Sequence, residues 1–428
     1  MRFLYDIFFL IFSFFYLPLF LIKGKHKEGF SERFGAVPIA VKEGLSDKEV
    51  IWIHAVSVGE MLQAVRLADA LRKRVTNSRF VLTATTATGL EIAKKFKKNE
   101  DFALCFPLDF RASVRAFVGS ISPKAVIILE TEIWPNLLKE LSDHKIPFFI
   151  LNGRISDRAF PKYQLVKFFL KPILNSFKYI NTQDDLMRRR FIALGAATEK
   201  VFVTGNMKYD WAPPSVNDEE VEKIRNNFKT EGTILCIAGS THEGEEEILF
   251  DVYKSLKAKH HAFKLMIAPR HLNRTESIHA QAFRRDISLR NVSALLRSSA
   301  RAVLKEGEVL LLDKMGLLAN LYRIADFVFV GGSLVPYGGH NLIEPAFFEK
   351  PVVFGNFMQN FKEMAEMFKK SGAAEEVRSQ EELKNIFSRL IEDISYRQKL
   401  GIAAKKMIAL NSGATERNIQ TVMQNLNR

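Results

Sequence analysis

Short apolar runs return at regular intervals along the first half of the chain: Ile51–Val56, Phe80–Ala84, Phe102–Cys105, Ala125–Leu129, Phe148–Leu151, Tyr179–Thr182 and Val201–Val203. They are rich in β-branched and aromatic residues and too short for helices, so the pattern predicts strands. The runs are continuous rather than alternating, as expected for a parallel sheet covered on both faces. Most are separated by amphipathic stretches of helical length, such as Met61–Val75 and Leu90–Phe96. The rhythm restarts at Thr233–Ala238 and continues through Phe263–Ala268, Val309–Leu312, Asp326–Val330 and Pro351–Phe354. Between the two series lies Tyr209–Asn226, polar and interrupted by Pro213-Pro214, which reads as a linker followed by the first helix of a second domain. The expected fold is therefore α/β, with two doubly wound domains facing a cleft and a tail that is helical from Glu381 onward.

The start of the chain breaks this rhythm. Phe3 to Ile22 is almost wholly apolar, interrupted by Asp6, and long enough to cross a bilayer as a helix. Lys23, Lys25 and Lys27 follow it, a cationic flank suited to an anionic cytoplasmic leaflet. No small-residue cleavage site follows, which argues against a signal peptide. A spanning helix, an apolar helix lying partly in the membrane and a buried helix of the fold all fit; an anchor of undefined depth is the expectation. Residues 1–30 are assigned to the anchor and its basic flank, 31–208 to the first domain and 209–428 to the second with the terminal helices.

Composition narrows the partners. With 62 Lys+Arg against 48 Asp+Glu, the net charge of +14 points to a polyanion: nucleic acid, an acidic membrane face or a phosphorylated substrate. Two cysteines, Cys105 and Cys236, both in apolar runs, give neither a disulfide framework nor a zinc site. No P-loop is present, and GxGxxG is missing from the first strand–helix turn of either domain. Nucleotide hydrolysis and hydride transfer are thereby set aside.

Chemistry gathers where the strands end. Ser57-Val58-Gly59-Glu60 follows the first strand, and Glu60 is either a general base or a first-turn Glu favoured by the helix dipole. Leu129-Glu130-Thr131-Glu132 closes another strand; Glu130 is the better functional candidate and Glu132 fits a structural role equally well. Arg154 and Lys208 add positive charge at corresponding strand ends. In the second half, the Ala238–Glu245 turn reads as an anion cradle, and Arg270, after Pro269, can hold a phosphate in bidentate fashion. Asp313-Lys314-Met315-Gly316 follows the next strand. The stretch Phe327–Pro345 then carries two glycine pairs into Asn341, three residues ahead of Glu344; it reads as a phosphate loop, with an ordinary capping box as the rival reading.

Taken as a set, His54–Glu60, Glu130–Asn136, Gly205–Lys208, Ser240–Glu245, Pro269–His271 and Phe329–Pro345 closely resemble the 3-deoxy-D-manno-octulosonic acid (Kdo) transferases of lipid A biosynthesis. That resemblance implies a GT-B glycosyltransferase of two Rossmann-like domains that moves Kdo from CMP-Kdo to a lipid A precursor with inversion. It implies no cofactor, no metal ion and no nucleic acid, and a place on the cytoplasmic face of the inner membrane, against its anionic surface. It also implies roles: Glu60 as general base, Glu130 and Lys208 as transition-state stabilisers. The CMP contacts would fall on Pro269, Arg270, Lys314, Met315, Gly316, Asn341, Leu342, Ile343 and Glu344. Met207 and Tyr209 depart from the bulkier aliphatic and Phe residues common beside that lysine.

Overall fold

A computed structural model describes residue 5 and residues 29–210, 212–213, 218–228, 232–298 and 305–426. The chain divides into two compact units, Met1–Asp210 with Ser412–Arg428, and Trp211–Asn411.

The first unit is built on a seven-stranded sheet, β1 (Glu49–Ala55), β2 (Ser78–Ala84), β3 (Phe102–Cys105), β4 (Pro123–Leu129), β5 (Phe148–Gly153), β6 (Tyr179–Thr182) and β7 (Val201–Val203), in the order β3-β2-β1-β4-β5-β6-β7. All neighbours pair in parallel. Because successive side chains of a strand point to opposite faces, β1 feeds two cores. Val50 and Trp52 join one cluster with Phe117, Ile128 and Phe177, while Ile51, Ile53 and Ala55 join the other with Leu67, Phe80 and Ile127. The helix Val58–Arg72 covers the second face through Met61, Ala64, Leu67, Ala68 and Leu71, spaced to share one side.

The second unit carries another seven-stranded parallel sheet: β8 (Ile234–Thr241), β9 (Phe263–Pro269), β10 (Leu289–Asn291), β11 (Val309–Leu311), β12 (Phe327–Val330), β13 (Val352–Gly355) and β14 (Ala374–Val377), ordered β10-β11-β9-β8-β12-β13-β14. Phe263, Phe327 and Phe387 fill its centre, with the Phe263 and Phe327 rings stacked 6.1 Å apart. Both units are thus Rossmann-like, as the apolar rhythm implies.

Three expectations need correction or limits. The terminal helix does not belong to the second domain. Ala414–Leu426 packs into the first unit, where Ala414, Ile419, Val422 and Leu426 complete the core beneath Met61 and Leu67, and Asn418 accepts from Asn181 Nδ2 at 2.9 Å. Asp210, where the chain leaves this unit, accepts from the N–H groups of Gly413 and Thr415 where it returns. Tyr209, read as the start of the linker, is buried in the 3-10 turn Met207–Asp210, and the helix that follows begins at Asp218. The apolar segment expected as a membrane anchor lies outside the described residues apart from Tyr5. Among the described residues no helix is long and apolar enough to cross a membrane.

Candidate active site

In the first unit the strand order reverses between β1 and β4, which is where open α/β sheets bind ligands. Glu60 lies in the first turn of the helix after β1; Glu130 and Glu132 lie in the loop after β4. Together with Thr131, Arg154, Ile155, Ser156, Ala159 and Tyr163 they line a cavity of about 250 Å³. Lys208 reaches the same group, its ammonium 3.6 Å from Glu130 Oε1. The sequence-derived trio of Glu60, Glu130 and Lys208 therefore converges in one place.

Glu60 combines the two readings made of it. Ser57 caps the helix by accepting from Glu60 N–H at 3.3 Å, while the Glu60 carboxylate accepts from Val56 N–H at 2.9 Å and from Ser57 Oγ at 2.7 Å. This is a variant of the capping box, with the carboxylate on the N–H of Val56 instead of that of the N-cap Ser57. Each carboxylate oxygen has two lone-pair directions, so one acceptor site per oxygen stays open while the cap fixes the orientation. Glu130 is held differently, on a backbone with φ of 59°. That left-handed conformation costs a residue with a Cβ on the order of 1 kcal/mol and turns the chain sharply off the strand end.

A chain of amides sets the position of Lys208, and sequence reasoning did not find it. Gln63, on the Glu60 helix, accepts from Asn152 Nδ2 at 2.9 Å; the Asn152 side chain accepts from Met207 N–H at 3.0 Å. Gln183 donates to the Asn152 carbonyl at 3.1 Å and accepts from Asn206 Nδ2 at 3.1 Å, and Asn206 in turn accepts from Lys208 N–H at 3.0 Å. The Asn152-Gly153 and Gly205-Asn206 pairs were the visible signal; the two glutamines sit in helix and loop with no pattern around them.

Burial and neighbouring charge act on two of these carboxylates. Glu132 is pushed up to about 7, first by burial and then by the charge of Glu60. Burial also raises Glu130, with the Lys208 ammonium opposing. Glu132, given an open role from the sequence, is thus the carboxyl whose protonation state changes near neutral pH.

In the second unit the corresponding reversal lies between β8 and β12. Here part of the backbone expected to cradle an anion already has a partner in the protein. Glu245, fully buried at the start of the helix Glu245–Lys257, accepts from the N–H groups of His242, Gly332, Ser333 and Leu334 at 2.6–2.9 Å. Three amides of the glycine loop, those of Gly332, Ser333 and Leu334, are thus held by the protein's own carboxylate. Gly331 is required for this: a Cβ would come within 2.6 Å of the Ser240 carbonyl oxygen.

What stands around the loop is cationic and aromatic. His242 stacks between Tyr337 and His340, with centroids 4.2 and 5.1 Å away, and its Nε2 lies 2.9 Å from His340 Nε2. Burial, then the nearby Arg270, lowers His340 to about 4. Arg270 itself is exposed at the end of β9, after buried Pro269. Lys314 forms an ion pair with Glu220 at 2.6 Å, and Met315 and Gly316 are exposed in the loop after β11.

The capping box read at Asn341 and Glu344 takes another form. Asn341 Oδ1 accepts from Ile343 N–H at 3.1 Å, two residues on, and its Nδ2 donates to Glu344 Oε1 at 3.3 Å. The side chain closes a turn and orients the Glu344 carboxylate, while the helix it precedes, Ile343–Phe347, is a single short turn and a half. Leu342 and Ile343 are buried in the core, so their side chains are not open to a ligand.

Residues 28–211 match the family model described as 3-deoxy-D-manno-octulosonic-acid transferase (kdotransferase), and residues 217–407 match glycosyl transferases group 1. A 3-deoxy-D-manno-octulosonic acid transferase of Haemophilus influenzae is 33% identical over 409 residues, covering 94% of this chain and 93% of that protein. The chain belongs to the 3-deoxy-D-manno-octulosonic acid transferase family. It is a transferase. A Rickettsia bellii relative of the same name is 29% identical over 93% of the chain. A bifunctional glycosyltransferase/methyltransferase of Fusobacterium nucleatum is 37% identical over 75% of this chain, which spans about half of that longer protein. Among solved structures, UDP-GlcNAc 2-epimerase of Neisseria meningitidis has a TM-score of 0.58 at 14% identity over 88% of this chain and all of that one. A glycosyltransferase of Rickettsia africae has 0.55 at 14% over 89% and 99%. These likenesses show the fold, two Rossmann-like domains of GT-B type, which this Kdo transferase family member shares.

Proposed function

We propose that this chain transfers Kdo from CMP-Kdo to the sugar hydroxyl of a lipid A precursor, with inversion at the anomeric carbon. Family membership supports the donor and the reaction; the observation that carries the residue roles is the convergence of Glu60, Glu130 and Lys208 on one cavity. The acceptor oxygen attacks the anomeric carbon, its proton passes to Glu60, and the bond to the phosphate oxygen breaks as CMP leaves with the electron pair. Glu130 and Lys208 stabilise the charge that develops.

The donor's nucleotide is assigned to the second unit. Arg270 would neutralise phosphate, Glu344 would accept from ribose hydroxyls, and the backbone around Pro269, Met315-Gly316 and Leu342-Ile343 would line the site. Lys314 would have to leave Glu220 to take part. The reading includes catalysis without a metal ion, the cations replacing it; full activity in excess chelator supports this and its loss overturns it. It also includes attachment to the cytoplasmic face of the inner membrane through the N-terminal apolar stretch.

The test is CMP release in the presence of CMP-Kdo and tetra-acylated lipid A precursor. Turnover with this pair, and none with UDP-sugars, is expected; the reverse removes the reading. Glu60→Gln should lower kcat by about a hundredfold or more while CMP still binds, and an unchanged kcat would move the base elsewhere.

A further inference from the structure

The helices Phe160–Leu165 and Lys167–Ser176 leave six consecutive residues exposed, Gln164 through Phe169. Four of them are large and apolar. Leu165 is 88% exposed and Phe168 73%, with Val166 and Phe169 at 42% and 49%. Such a run is unfavourable on a face meant for water. The second helix has its own core residues, since Leu170 and Leu174 are buried, so the two phenylalanines are not needed for packing. Their rings lie edge to face at 5.8 Å, presenting one apolar knob.

The charge along this segment has one sign. From Arg158 to Gln183 the sequence contains no Asp or Glu. Arg158, Lys162, Lys167, Lys171 and Lys178 are all exposed, and among the described residues no acidic partner neutralises them. An apolar tip ringed by cations is the composition that lies in the interface of an anionic bilayer, with aliphatic and aromatic groups at the acyl boundary and ammonium groups among phosphates.

One contact ties this face to the active site and a second ties its helices to Tyr5. Ala159 and Tyr163 line the cavity that holds Glu60, Glu130 and Glu132, and Leu165 lies about 3 Å further along the helix axis from Tyr163. Tyr5, the one described residue of the N-terminal apolar stretch, donates to Asp109 at 2.9 Å. Asp109 also accepts from the N–H groups of Asn136 and Leu137 at the start of the helix Pro135–Asp143, which packs against Lys167–Ser176. Tyr5 and the exposed knob thus attach to neighbouring helices of one unit.

We propose that Leu165–Phe169, with Lys162, Lys167 and Lys171, is a membrane-docking surface that sets the cavity against an anionic lipid bilayer. The surface acts beside the N-terminal stretch and is separate from it. The proposal rests on the Kdo-transfer reading only in that a lipid-borne acceptor would then enter the cavity from the side that touches the membrane.

The test uses the full chain labelled with an environment-sensitive fluorophore at Phe168→Cys; the two native cysteines are buried and stay unlabelled. Vesicles of phosphatidylcholine containing one third phosphatidylglycerol should shift the emission to the blue. The apparent partition coefficient should fall about fivefold for each of Lys162→Gln, Lys167→Gln and Lys171→Gln, and fall as salt is raised. The proposal is overturned if the protein sediments with vesicles while the probe does not respond, or if vesicles of phosphatidylcholine alone bind equally well. It is also overturned if the blue shift develops without vesicles and grows with protein concentration, since the knob then meets a second copy of the chain. Phe168→Ser/Phe169→Ser should keep full turnover of detergent-dispersed acceptor and lose most turnover of vesicle-embedded acceptor. Wild-type protein without turnover in detergent would sink the Kdo reading and leave the probe result standing.

Discussion

At the scale of single residues, Glu132 is where environment most changes chemistry. Half-buried beside Glu60, its carboxyl is raised from 4.5 to about 7. An acid whose folded pKa lies above its unfolded one holds extra protons when native, so stability falls as pH rises between the two values. Below about 4.5 both states are protonated and nothing is lost; above about 7 the full cost is present, at most about 3 kcal/mol and less because the group keeps some exposure. Glu132→Gln should therefore be as stable as the wild type at pH 4 and more stable by about 2 kcal/mol at pH 8. Chemical denaturation at the two pH values checks it, and an equal difference at both would remove the burial argument. A sequence can show that three carboxylates end up near strand ends, since each follows an apolar run, but not that one of them is denied water.

At the scale of elements, the strands buried on both faces were legible because their apolar runs are continuous. Leu289–Asn291 and Ala374–Val377 were not, since each lies at an edge of the second sheet, half exposed and only three or four residues long. The glycine loop after β12 was legible as a turn, and its amides were assigned to a phosphate. Their actual partner is 87 residues earlier in the chain: Glu245, one acid in a run that reads as an ordinary first turn. Local pattern identifies a loop that needs an anion and cannot say that the protein brings its own. The same contact makes a prediction. Glu245→Gln replaces one acceptor oxygen by an amide that can only donate, against four N–H groups. Loss of roughly 3 kcal/mol from the second unit is expected, with weaker CMP binding as the loop relaxes. Denaturation followed together with a CMP titration reads both, and an unchanged midpoint would mean that water replaces the carboxylate without cost.

At the scale of the whole molecule, chain order and structural membership part company at Asn411. The final helix, last in sequence, belongs with the first 210 residues. Ile419, Val422 and Leu426 are buried under the sheet of that unit, Asn181 donates to Asn418, and Asp210 holds the loop by which the chain returns. Burial of the three apolar side chains contributes roughly 5–9 kcal/mol, a large part of the ~5–15 kcal/mol that keeps a domain folded. The expected consequence is asymmetric. A fragment of Trp211–Asn411, which has its own sheet and core and lends no helix to its neighbour, should fold alone and bind CMP. A fragment ending at Asp210 should be largely unfolded or aggregated, and a peptide of residues 412–428 added in excess should restore its cooperative unfolding. Circular dichroism melts of the two fragments decide it: a sharp transition in residues 1–210 without the peptide would show that the terminal helix only decorates a core already complete.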